Sequence, residues 1–174
     1  MAQSENKFRT NVNVFEEFMV HFSNGWIERV SEKAFETAAN TKTMVKGNAG
    51  VVIADDITVR ELNDKYRGIN ENTDVLAFSN LRQGHYYGEN TPDAGTDPFI
   101  TPPRDSVDCG EVIISYPQAL LQASKEGHDV KKELIILLAH GLLHLLGYDH
   151  ELPDEEVQMK AIQDIVVTEA LKVE

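Results

Sequence analysis

Apolar and polar positions along the chain follow two periods, and the switches between them outline the elements. Residues 10–22, "TNVNVFEEFMVHF", alternate briefly and then become mixed, which predicts a first strand. Residues 24–40 place Trp26, Ile27, Val30, Ala34, Phe35 and Ala38 at helical spacing, with Asn24 as N-cap. "AGVVIADD" (49–56) is a compact β-branched run ending in Asp and predicts a buried strand. "ITVRELNDKYRG" (57–68) reads as a short helix stopped by Gly68. "DVLAFSN" (74–80) and "GEVIISY" (110–116) read as strands, and Pro117 suits the start of a helix over 117–127. From Asp129 to Leu146 runs a helix whose middle, Leu134 to Leu146, is apolar on nearly every face, the mark of a helix packed on all sides. Gly147 ends it. Asp154 then caps a final amphipathic helix, 155–172, with Val157, Ile162, Ile165, Val166 and Leu171 inward. The expected fold is α+β: one domain over 1–174, a small mixed sheet packed against helices, with one central buried helix.

Residues 82–109 break the pattern. Four of the six prolines (Pro92, Pro98, Pro102, Pro103) lie there with Gly84, Gly88 and Gly95, so we expect a long polar loop that acts as a mobile flap. The N-terminus, "MAQSENKFRT", lacks the apolar stretch of a secretory signal, and Leu134 to Tyr148 is too short to span a membrane. Cys109 is the only cysteine, which excludes an internal disulfide and fits a reducing cytoplasm. The net charge of −13 is unevenly spread: residues 1–67 carry 9 basic and 10 acidic side chains, residues 68–174 carry 7 and 19. A polyanionic partner would therefore meet mainly the N-terminal half.

The apolar helix contains the chemistry. In "HGLLHLLGYDH" (140–150), His140 and His144 are four residues apart on one helix face, about 6 Å apart along the axis. Gly147 can adopt the left-handed turn that brings His150 back toward them. The spacing H-x-x-x-H-x-x-G-x-x-H is that of the long zincin-type motif. Three neutral nitrogen ligands leave a fourth tetrahedral position for water, a catalytic rather than a structural zinc arrangement. Zincins place Glu, the general base, directly after the first His; here that position is Gly141. Asp149, the nearest carboxylate in sequence, can serve as base or as a partner orienting a histidine, and the second role suits it better. Three histidines also suit nickel, cobalt or copper.

"HGLLHLLGYDH" resembles the signature of the YbeY family of bacterial rRNA-maturation endoribonucleases. "LNDKYRGINENTDVLAF" (62–78) is similar to that family's Tyr-Arg-Gly segment followed by Thr-Asp-Val-Leu-x-Phe, and "GEVIIS" (110–115) to its Gly-Asp-Ile-x-Ile-Ser strand. The resemblance covers roughly residues 48–172. It implies a zinc-dependent endonuclease, specific for single-stranded RNA, in 16S rRNA 3′-end maturation and ribosome quality control, with the small ribosomal subunit as partner. It implies His140, His144 and His150 as ligands of one Zn2+ and a functional arginine at Arg67. A planar guanidinium can clamp a phosphate and offset charge developing on phosphorus. Lys65 is a candidate second phosphate contact, and Met159 a candidate floor beneath the metal, though ordinary surface and core roles are simpler for both.

The sequence also departs from the family. "INEN" (69–72) stands where members commonly carry Lys-x-Lys-Pro, and Glu111 replaces the usual Asp. The first departure removes positive charge next to the phosphate site. Two other functions fit the residues: a metal-stabilised ribosome-assembly factor without catalysis, and a zincin-like amide hydrolase, against which Gly141 argues. His21, His85 and His128 have no spacing partner and no expected role.

Overall fold

Strands and helices alternate along most of the chain in the computed structural model, which describes residues 7–22, 25–42, 44, 46–81, 107–149 and 152–173. In chain order they are β1 (Phe8–Val14), a 3₁₀ segment (Glu16–His21), α1 (Trp26–Asn40), β2 (Gly47–Ala54), α2 (Asp56–Arg67), β3 (Val75–Ser79), β4 (Val107–Ser115), α3 (Tyr116–Glu126), α4 (Val130–Leu145) and α5 (Pro153–Ala170). The sheet order is β1-β2-β4-β3. β1, β2 and β4 run parallel, and β3 closes one edge antiparallel to β4. The expected α+β architecture with a small mixed sheet is therefore the one observed.

Strand alternation divides the interior in two. On one face, Ala49, Val51 and Ile53 of β2 and Cys109, Val112 and Ile114 of β4 join α1, α4 and α5 in the main core. On the other, Ala54, Leu76 and Ile113 pack with Val59 of α2 in a smaller cluster. α2 thus covers the face opposite α4. It is opened by Asp55, whose side chain accepts from Thr58 N–H at 2.7 Å, and closed by Gly68. Its first turn is tied to α3: Asp56 accepts from Ser115 Oγ at 2.6 Å and from Gln118 Nε2.

α4 touches β3, β4, α1, α3 and α5, which is why its sequence is apolar on nearly all sides. Leu134, Leu138, Leu142, Leu143 and Leu145 are fully buried. Truncating any one to Ala should cost about 2–5 kcal/mol, so the helix that carries the histidines is a stiff platform.

Three expectations need correction. The final helix begins at Pro153, with Leu152 as N-cap; Asp154 lies inside the first turn, and it is Glu155 that reaches back to accept from Leu152 N–H at 3.3 Å. Val157, Ile165 and Leu171 of that helix are 71%, 55% and 47% exposed, while Met159, Val166 and Ala170 are buried. α5 is an outer helix resting mainly on α1 and α4 among the described elements, so it buries a narrow seam rather than every apolar residue. β4 starts at Val107, not 110, so residues 107–109 belong to the sheet rather than to a loop. Gly110 permits this: its φ is +116°, and a Cβ there would lie 2.0 Å from the Phe78 carbonyl oxygen. The rest of the expected flap, 82–106, and the proposed cap Asn24 lie outside the described residues; α1 has Gly25 at its N-cap.

Candidate metal centre

His140 and His144 sit one turn apart near the C-terminal end of α4, both half-buried. Their Nε2 atoms converge to 3.1 Å, with the rings nearly perpendicular at 80°. Each ring's other nitrogen faces an oxygen that can only accept. His140 Nδ1 lies 3.0 Å from Gln163 Oε1 on α5, and His144 Nδ1 lies 3.1 Å from the Tyr148 carbonyl oxygen. A ring that donates from Nδ1 is, when neutral, a lone-pair carrier at Nε2. Two such lone pairs 3.1 Å apart repel unless a proton or a cation stands between them. Two nitrogens on one tetrahedral zinc, each at about 2.0–2.1 Å, are separated by about 3.3 Å. The donor set and its spacing fit a divalent cation of the zinc type.

The end of the helix builds half of this arrangement. Tyr148 N–H donates to Leu143 C=O and Gly147 N–H to His144 C=O, both at 3.0 Å, and Gly147 has φ +86°. This is the Schellman pattern, which needs a left-handed residue where glycine stands. It turns the Tyr148 carbonyl back toward His144. The Tyr148 side chain then locks the turn. Its hydroxyl is 2.8 Å from Thr41 Oγ1, which gives its own proton to Ala38 C=O at 2.6 Å, so the tyrosine donates. Lys42 Nζ lies 4.0 Å from the centre of the ring.

Gly141 faces the sheet. A Cβ added there would lie 2.5 Å from Val112 Cγ1 and 3.1 Å from Cγ2. The position after the first histidine therefore has no room for even a methyl group, let alone the carboxylate of a zincin. The departure from the zincin pattern is a packing requirement between α4 and β4.

The structure brings two of the three expected ligands together. The third, His150, lies outside the described residues, and among the described residues no group of three His, Cys, Asp or Glu side chains is placed to hold a metal ion. Asp149 is half-buried at the end of the turn. Arg67 is exposed at the C-terminal end of α2, across the sheet from α4. Both regions nevertheless border the last two residues of edge strand β3. Tyr66 packs edge-on against Phe78 at 5.1 Å, and Ser79 Oγ donates to Leu145 C=O at 2.7 Å. Lys65 is exposed beside the Tyr66 ring, and Met159 is a member of the main core. Two residues that sequence reasoning did not single out, Gln163 and Tyr148, supply the acceptors. Gln163 carries a faint signal, a polar side chain spaced between Met159 and Val166 on the buried seam of α5.

The other histidines have structural surroundings. His21 stacks on Tyr116 at 5.0 Å. His128 Nε2 lies 3.0 Å from the buried Glu133 carboxylate, whose pKa burial pushes up while His128 pulls it down. His85 lies outside the described residues. No helix among the described residues is long and apolar enough to cross a membrane.

Comparison with known proteins adds an independent line. Residues 11–170 match the family Endoribonuclease YbeY. A relative from Dehalococcoides mccartyi named Endoribonuclease YbeY is 40% identical over 159 residues, 90% of this chain and 87% of that protein. One from Symbiobacterium thermophilum with the same name is 38% identical, over 78% of each chain. The solution structure of TM1509 from Thermotoga maritima shares the fold, with a TM-score of 0.56 at 24% identity over 94% of this chain and 88% of that one. The chain belongs to the YbeY endoribonuclease family.

Proposed function

We propose that this protein is a zinc-dependent endoribonuclease that cuts single-stranded RNA, acting in the cytoplasm on 16S rRNA of the small ribosomal subunit in 3′-end maturation and quality control. The observation that carries the metal part of this reading is the 3.1 Å approach of the two Nε2 atoms, each ring fixed from behind by an acceptor oxygen. The family name carries the reaction. His140 and His144, with His150 as the third ligand, would hold the cation. When bound, it supplies Lewis acidity and a fixed positive charge for phosphodiester cleavage.

The chain's own groups do the rest. Gln163 and the Tyr148 carbonyl keep the two imidazoles in the ligating tautomer. The leucines of α4 hold both rings on a rigid helix. Arg67 binds a phosphate of the RNA strand and offsets its charge. Tyr66, next to Arg67, and Leu145, next to His144, both touch the end of β3, so a strand of RNA passing round that sheet edge would reach both regions. The charge distribution supports this approach, because α2 belongs to the nearly neutral N-terminal half. The amide-hydrolase alternative loses its base at Gly141, where the sheet leaves no room for one.

The test is metal analysis of purified protein together with cleavage of a single-stranded RNA. His144→Ala should lose both metal and cleavage, and Arg67→Ala should lose cleavage while keeping metal. Cleavage that survives both substitutions would refute the proposal. A 2′,3′-cyclic phosphate product would assign the attack to the ribose 2′-OH, a plain phosphate end to water.

A further inference from the structure

We propose that Gln163 is a positioning residue for the histidine pair: it holds His140 as the Nδ1–H tautomer, so that Nε2 is presented to the cation, and it does so with a neutral group. The inference rests on the reading of the pair as metal ligands and deepens it.

The two acceptors behind the pair differ in kind. His144 is fixed by a main-chain carbonyl, which the helix cap supplies whatever side chain occupies 148. His140 is fixed by a side chain from another helix, at 3.0 Å. In a histidine, the hydrogen bond made by one ring nitrogen decides the state of the other. The acceptor at Nδ1 favours the proton there, and a proton on Nε2 blocks ligation. Gln163 is itself half-buried on the inward seam of α5, among Met159, Ile162 and Val166. Its amide oxygen thus stands at hydrogen-bond distance from His140 on a seam whose other members are apolar.

The choice of amide over carboxylate also has a chemical consequence. A carboxylate behind a ligating histidine raises its basicity and adds negative charge beside the cation. An amide oxygen fixes the tautomer and adds none. Held by neutral imidazoles, the cation would keep its positive charge, which favours a polyanionic substrate on a chain whose net charge is −13.

The test uses the full-length protein and the variants Gln163→Leu and Gln163→Glu. In metal-free protein, imidazole nitrogen NMR should show His140 as Nδ1–H in the wild type and in Gln163→Glu, and shifted toward Nε2–H in Gln163→Leu. Zinc competition against a chromophoric chelator should show about 10–100-fold weaker binding by Gln163→Leu, with Gln163→Glu restored to at least wild-type affinity. RNA cleavage by zinc-loaded Gln163→Glu should fall below wild type. A His140 tautomer and a zinc affinity unchanged in Gln163→Leu would overturn the inference, as would a Gln163→Glu variant as weak as Gln163→Leu. Zinc binding absent from the wild type would instead bring down the metal reading and this inference with it; the tautomer measurement in metal-free protein separates that outcome from a failure of Gln163 alone.

Discussion

Replacing Gly141 with alanine sets two well-known effects against each other. Glycine inside a helix is about 1 kcal/mol less favourable than alanine, so propensity alone makes Gly141→Ala stabilising. The structure predicts the opposite sign. The new methyl would stand 2.5 Å from Val112 Cγ1 and 3.1 Å from Cγ2, closer than packed carbons approach. Forcing extra atoms into a filled core typically costs about 1–3 kcal/mol. Valine has no flexible end to swing away, so the strain must go into moving α4 off β4, and with it the histidine pair. Only the Val112 Cβ, at 3.4 Å, sits at an ordinary contact distance. Removing the two γ-carbons should therefore make room. In the Val112→Ala background, Gly141→Ala should become neutral or stabilising, giving a coupling of about 1–3 kcal/mol between the two sites. Urea denaturation of the wild type, both single variants and the double variant measures it. Additive effects, or a stabilised Gly141→Ala single variant, would refute the account of why no carboxylate stands at this position.

Further outcomes follow from the same geometry. Tyr148→Phe removes the bond to Thr41 and should cost about 0.5–1.5 kcal/mol in a urea melt, while zinc affinity holds because the acceptor for His144 is main chain; a collapse of affinity would contradict this. Burial holds the Glu133 carboxyl above the usual carboxylate range, so the folded protein binds that proton more tightly than the unfolded chain, and stability falls as pH rises from the ordinary carboxylate pKa through the raised one. The stability of wild type relative to Glu133→Gln should therefore decline across that window in thermal melts, and a constant difference would contradict it. Ile165→Lys, at a position 55% exposed, should change stability by less than about 0.5 kcal/mol, whereas Val166→Ala, fully buried beside it, should cost about 2 kcal/mol. Equal costs would mean that the buried seam of α5 is misplaced.

What could be read in advance was what neighbours in sequence decide. The apolar block of α4, the Gly68 end of α2 and the β-branched run of β2 are local signals, and each element falls within a few residues of its expected place. The start of β4 was hidden because "VDCG" looks like punctuation. Only the facing strands show why Gly110 belongs in a strand: the Phe78 carbonyl occupies the space of its missing side chain. The inward face of α5 was hidden for a similar reason. Its apolar residues outnumber the positions that α1 and α4 can cover, and hydropathy cannot say which ones lose.

The same division runs through the site. His140, His144 and Gly147 are spaced by the helix itself, so their pattern is visible in the chain. The groups that hold the two imidazoles in place come from different distances. The Tyr148 carbonyl is local but is main chain, so no residue type signals it. Gln163 is a side chain, yet it lies 23 residues away on a helix whose seam the sequence leaves ambiguous. Its inward orientation and the outward turn of Ile165 are one fact: a helix that must deliver an amide oxygen to His140 cannot also bury every valine and isoleucine it carries. The face that α5 presents to the core thus includes the amide that meets His140, and an apolar residue at 163 would extend the apolar seam only by losing that contact.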